Sequence, residues 1–415
     1  MNIVLKNATI LEKNNPFNTQ KVDIEITDGV LSKIGTNLVI KEGYTTVEKE
    51  NLHVSTGWVD TQVVFGEPGF ETTETIKNGL HVAAKSGFTD VFVHSNTNPS
   101  IDNQAVIHLI QNKGLGQATQ LHLVGTLTKN AEGNELAELF DMKNAGAIAF
   151  GDYKKTLTNA NLLKIALQYT QDFNGLVFAF PMNKDIKGKG FVNEGVVSTK
   201  LGMKGIPALA ELVELTRNIA LLSYTGGKMH VPTISCAESV ALIKEAKLKG
   251  LSITCGVSIN NLVLNENEIT DFNTDTKVYP PLRSEQDRVA LIEGVKDGTI
   301  DVITSDHCPV NIENKRIEYD LAAYGSIGLE SIFGALNQVV PLEISIEKLT
   351  NGHQFLNEKS EIAVGQKAKL TLFNPDTHWT FESKNILSFS KNAIMLGKKM
   401  KGEVYGVINT NSIQI

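Results

Sequence analysis

The groups in this chain that could do chemistry form a sparse set. Asp60, Gln62 and Val64 follow one β-branched run, His94 and Asn96 a second, and Asp152 a third. Phe180, then Thr233 and Ser235, then Asn260 and Asn261 follow others, and Asp306, His307 and Cys308 close the series. The carboxylates Asp152 and Asp306 could hold a hard cation loosely, and Asp306 could act as a general base. Catalytic zinc takes about three ligands drawn from His, Cys and carboxylate. That chemistry is poorly supplied, because the nine His include no HxH and no HExxH spacing. The three Cys, Cys236, Cys255 and Cys308, show no CxxC pairing. They imply neither a zinc ribbon nor a disulfide framework, and fit a reduced, cytoplasmic thiol pool.

These residues share a context, since most lie just past a short apolar run that is followed by a helical stretch. The runs are a strand near Val59, then Thr89–Val93, Leu121–Val124, Ala147–Phe150, Leu176–Ala179, Lys228–Val231, Leu251–Thr254 and Asp301–Thr304. Helical spacing of apolar residues marks stretches between them, such as 208–222 and 239–249. Eight buried strands alternating with helices predict a (β/α)8 barrel of the TIM type, with functional groups at the C-terminal strand ends. The ends of the chain read differently. Ile3-Val4-Leu5 predicts a strand stopped by a Lys6-Asn7 turn, and Val22–Ile26 alternates before an Asp28-Gly29 hairpin turn. After about Glu358 strands return at Lys369–Phe373 and Glu403–Ile408. The expectation is a barrel over 55–355 and one β-sandwich domain built from 1–54 and 356–415.

The whole chain of 415 residues is 41% hydrophobic and carries a net charge of −7. It can bury a large core, and its mild acidity argues against a nucleic-acid partner. No apolar run approaches the ~18 residues of a membrane span. The start, alternating like a strand, has no signal-peptide layout.

Longer segments carry a resemblance. Thr56-Gly57-Trp58-Val59-Asp60 through Glu67-Pro68-Gly69-Phe70-Glu71 is similar to the PGFIDxHxHxREPGxE segment of dihydroorotases. Ser95–Pro99 resembles PNTxP, Lys277–Arg283 resembles KVNPPLR, and Ser305–Pro309 resembles TDHAP. Val192–Gly195 and Leu201–Pro207 match the stretch after strand five. The chain is thus identified as a member of the dihydroorotase branch of the amidohydrolase superfamily, and the KVxPPLR form favours dihydroorotases over hydantoinases and allantoinases.

The resemblance implies a zinc hydrolase of cyclic amides, acting in pyrimidine biosynthesis. Its ligands are an HxH pair, a bridging carboxylated Lys or Asp, and two further His, with an Asp as general base. Carried over, the HxH pair falls on Gln62 and Val64, the strand-five His on Phe180 and the strand-six His on Thr233. The substrate Arg falls on Gly66, the Asn of KVNPP on Tyr279, and a loop His on Val310. Asp152 at the strand-four carboxylate position, Asn96 at a substrate position and Asp306 at the general-base position remain. Asp306 and Asn96 are therefore read as vestiges of catalysis and substrate binding, and no zinc is expected. His94 and His307 stand outside the ligand positions, and His230 reads as a core residue.

The resulting expectation is a catalytically inactive, homo-oligomeric dihydroorotase homologue. Its role would be structural or regulatory, beside aspartate carbamoyltransferase or a catalytic dihydroorotase. Two alternatives stay open. One is an active dihydroorotase or related cyclic amidase with an atypical metal site. The other is a small-ligand sensor whose neutral polar cavity is lined by Gln62, Asn96, Thr233, Asn260, Asn261 and Tyr279.

Overall fold

A computed structural model describes residues 1–356 and 360–415. Each apolar run of the central region becomes a strand because both faces are covered, one by helices and the other by the opposite barrel wall. The strands are Trp58–Val63, Phe88–His94, Gln120–Gly125, Ala147–Phe150, Val177–Phe178, Met229–Val231, Ile253–Ser258 and Val302–Thr304. They pair in parallel in chain order. A parallel bridge from Val63 to His307 closes the last strand onto the first. This is the (β/α)8 barrel expected from the pattern. Val59, Phe92, Val124, Ala149 and Phe178 pack together with Leu356 as one inward-facing cluster.

A second sheet draws on both chain ends. Ser412–Gln414, Lys399–Asn409, Lys369–Thr380, His53–Thr56, Ile3–Ile10, Lys21–Thr27 and Val30–Gly35 lie side by side in that order. The expected stop at Lys6-Asn7 does not occur. Asn7 takes a left-handed φ of 56° and is absorbed as a register shift between Leu5 and Ala8, so the strand runs on to Ile10. Asn tolerates that conformation better than most residues. The strands expected at Lys369–Phe373 and Glu403–Ile408 form within Lys369–Thr380 and Lys399–Asn409, while Glu358 itself lies outside the described residues.

Trp58 joins this sheet to the barrel. Its indole donates to Ser55 Oγ at 3.0 Å, and its ring packs against Phe88, Phe333 and Phe373. No helix among the described residues is long and apolar enough to cross a membrane.

Candidate functional site

The segments that carried the sequence resemblance assemble at the C-terminal end of the barrel. Asn98 N–H donates to Pro68 O at 2.9 Å, so the loops after the first and second strands lock together. Gly69 permits this approach, since a Cβ there would lie 2.4 Å from Asn98 O. Arg283 holds the long excursion after the fifth strand, donating to Asn193 Oδ1 at 2.9 Å and Ile206 O at 2.6 Å. It is a scaffold residue here.

Asp306 follows the eighth strand with a left-handed φ of 52°. Its carboxylate is buried and faces two side chains brought from elsewhere in the barrel. Gln62 Nε2 donates to Oδ1 at 2.7 Å. Lys154 Nζ lies 2.7 Å from Oδ1 and 2.8 Å from Oδ2. The ammonium therefore caps both oxygens. Lys154 is placed by Tyr153, which also sits at positive φ and packs half-buried against His94. The sequence marks Asp306 as the general-base position but does not show its side-chain partners, and Lys154 carries no motif that would single it out. The available signal was a Lys pair two residues beyond the strand-four carboxylate.

Asp152 does serve a loop. It accepts from Leu127 N–H at 2.8 Å, Thr128 N–H at 3.0 Å and Thr128 Oγ1 at 2.6 Å. Burial raises its pKa despite these bonds. Asp60 accepts from Gln62 N–H and Ser305 N–H, each at 3.0 Å, and from the Thr304 hydroxyl. Burial outweighs those donors and pushes its carboxyl up to about 6.

The remaining positions are apolar or orphaned. Val64 packs with Cys308 and Val310, and Phe180 with Met182, Ile206 and Ala210. Thr233 Oγ1, Gln62 Oε1 and both amide atoms of Asn260 are buried without a hydrogen-bond partner among the described residues. Gly66 has φ +76°, and a Cβ there would lie 2.4 Å from Thr73 Oγ1.

The three buried histidines are structural in geometry. His94 Nε2 donates to Thr61 O at 2.9 Å, His230 Nδ1 meets Thr254 Oγ1 at 2.8 Å, and His307 Nδ1 accepts from Gly328 N–H at 3.2 Å. Desolvation lowers their pKa values to about 4, about 3 and about 3 respectively.

Zinc, which the resemblance implies, does not fit this donor set. Val64 and Phe180 offer no lone pair, Gln62 and Thr233 are weak donors, and the Asp306 carboxylate is taken by an ammonium. Among the described residues no three His, Cys, Asp or Glu side chains cluster as a metal site.

The neutral cavity expected from six polar residues does not form. Gln62, Thr233, Asn260 and Asn261 are buried within the barrel. A cavity of about 670 Å³ opens at the mouth, lined by Asn96 and Tyr279 together with Lys154, Lys155, Lys187 and Tyr324. Its character is basic and aromatic.

Comparisons with known proteins agree with this architecture. A dihydro-orotase-like family profile matches residues 52–239. A dihydroorotase of Pelotomaculum thermopropionicum is 37% identical, over 98% of this chain and 97% of that protein. One from Thermoanaerobacter sp. is 36% identical, over 97% and 95%. Among solved structures, the L-hydantoinase of Arthrobacter aurescens superposes with a TM-score of 0.86 at 18% identity, over 99% of this chain and 95% of that one. A D-hydantoinase from Thermus sp. gives 0.84 at 18% identity, over 100% and 95%. At that identity the likeness is one of fold.

Proposed function

Because the chain belongs to the dihydroorotase family, we propose that it serves pyrimidine biosynthesis as a non-catalytic member. Its role is structural or regulatory, through a protein interface, with aspartate carbamoyltransferase as the partner to test first. One observation carries the reading: Lys154 and Gln62 occupy the Asp306 carboxylate. That carboxylate stands at the family's general-base position, and the imidazoles that would surround it are replaced by Gln62, Val64, Phe180 and Thr233. Both oxygens of that carboxylate already accept from these donors. General-base help is in any case worth only ~10²–10⁴-fold.

The second reading is an active dihydroorotase, or a related cyclic amidase, converting dihydroorotate to N-carbamoyl-aspartate. Likeness to dihydroorotases over nearly the whole chain favours this reading more directly than it favours loss of activity. The two readings separate in a ring-opening assay at high enzyme concentration. The non-catalytic reading expects no turnover above the enzyme-free rate, and the same for Asp306→Asn. Turnover that disappears in Asp306→Asn establishes the second reading. Sedimentation of the chain mixed with aspartate carbamoyltransferase from the same organism tests the partner. A single faster species supports it, and two independent boundaries at micromolar concentration reject it.

A further inference from the structure

The cavity at the barrel mouth includes groups that neither reading uses. Tyr279 and Tyr324 stand with ring centroids 5.1 Å apart, tilted by 40°. Lys187 Nζ lies 5.7 Å from the Tyr279 ring and 5.8 Å from the Tyr324 ring. Lys277 approaches the Tyr324 ring to 5.0 Å. Its own ammonium donates to the carbonyls of Tyr319 and Asp320, at 2.8 and 2.9 Å. Lys184 and Lys155 complete the basic wall. Among the described residues neither Lys184 nor Lys187 has a carboxylate within ion-pair distance, and Lys155 is bonded to Ala131 O.

The acids at the cavity do not offset this charge, although the Asp320 carboxylate attracts Lys277. Asp152 is spent on the Leu127–Thr128 loop and Asp306 on Lys154. Glu132 is exposed at the rim. Partial burial without an anion also lowers the pKa of Lys187, a penalty that a bound anion would lift.

We propose that this cavity binds a nucleoside monophosphate, with its phosphate on Lys187 and Lys184 and its planar base against Tyr279 and Tyr324. Lysines serve as point charges for a phosphate dianion and need no bidentate geometry. Aromatic faces stack bases with little preference for sequence. The volume of about 670 Å³ falls in the ~300–1,000 Å³ range of small-molecule sites. The site is independent of the readings above, since none of these four side chains touches Asp306.

The test is calorimetric titration of the full chain with uridine and adenosine 5′-monophosphates, and separately with orthophosphate, uridine and dihydroorotate. The expected dissociation constant for one or both nucleotides is on the order of 0.1 mM. Lys187→Gln should weaken it about 10-fold. Tyr324→Leu should weaken it about 5-fold or more. Among the described residues Lys187 carries no ion pair, so its variant should keep the parent's melting temperature. If Tyr324→Leu unfolds, Lys187→Gln alone decides the outcome. The proposal is overturned by the absence of binding at ~2 mM of either nucleotide. Affinity that survives both substitutions overturns it too. Orthophosphate binding as tightly as the nucleotides would remove the ring from the site, and tighter binding of dihydroorotate would replace the phosphate by a carboxylate. The ring-opening assay is blind to all of these outcomes, so the two questions fail separately.

Discussion

Replacing Lys154 with Met isolates the interaction on which the functional reading rests. The methionine keeps an unbranched stem and deletes the charge. Lys154 Nζ lies 2.7 and 2.8 Å from the two Asp306 oxygens, with the side chains 11% and 3% exposed. At an effective dielectric of about 20, opposite charges roughly 4 Å apart attract by about 4 kcal/mol. Breaking a buried pair on one side typically costs about 3–5 kcal/mol. The expected destabilisation at pH 7 is therefore about 3–4 kcal/mol. In Lys154→Met with Asp306→Asn, most of the loss should return, with a coupling of about 2 kcal/mol or more. Equilibrium urea unfolding, read by the fluorescence of Trp58 and Trp379, supplies these numbers. A loss below about 1 kcal/mol at pH 7 or additive double-mutant energies would each refute the argument.

Other expectations follow from the same geometry. His94, His230 and His307 are buried neutral, with pKa values of about 4, 3 and 3. The unfolded chain takes up their protons below about pH 6.5, so their contribution is complete above that pH and lost as pH falls. From pH 7 to 5 each loses about 2 kcal/mol, while Asp60, raised to about 6, returns about 1 kcal/mol as it protonates in the folded state. A urea midpoint that stays flat or rises between pH 7 and 5 contradicts this. Asp152→Ala strands Leu127 N–H and Thr128 N–H, and should cost about 2–4 kcal/mol in unfolding; a loss within about 0.5 kcal/mol would show that the loop holds itself. Gly66→Arg puts a side chain at φ +76° against Thr73 and Phe70. It should lower the melting temperature and cost about 1–3 kcal/mol, and an unchanged melting curve would count against it.

The barrel was legible because a parallel strand covered on both faces reads as a short apolar run, and eight such runs were visible. The edges of the runs were less reliable. The run at Leu251–Thr254 predicted a strand starting too early, for the strand occupies Ile253–Ser258. Leu251 instead closes the preceding helix, its N–H donating to Ala246 O. The positions onto which family motifs place their functional side chains were legible too, by spacing. The contacts around those positions were not. Lys154 reads locally as a solvated lysine past a strand end, and only barrel closure brings it to Asp306, 152 positions away. The basic mouth was hidden for the same reason, since Lys187, at the end of the short helix Lys184–Lys187, and the loop residues Tyr279 and Tyr324 come from three separate segments.

An ammonium is a particular kind of substitute at this place. It neutralises a buried carboxylate, as a metal would, and it fixes the loops that carry Tyr153 and Asp306 in left-handed backbone. Such residues cost about 1–3 kcal/mol and persist only where their surroundings over-determine them, which the capped carboxylate and its Gln62 bond provide. But Lys Nζ has no open coordination position and no lone pair while charged. It donates hydrogen bonds without drawing the pKa of a water from about 15.7 towards 7, which is what a catalytic metal supplies. The Lys154–Asp306 pair can thus preserve the architecture of the barrel mouth without supplying a nucleophile. A structural role and a ligand-binding role both need that architecture, and neither needs the nucleophile.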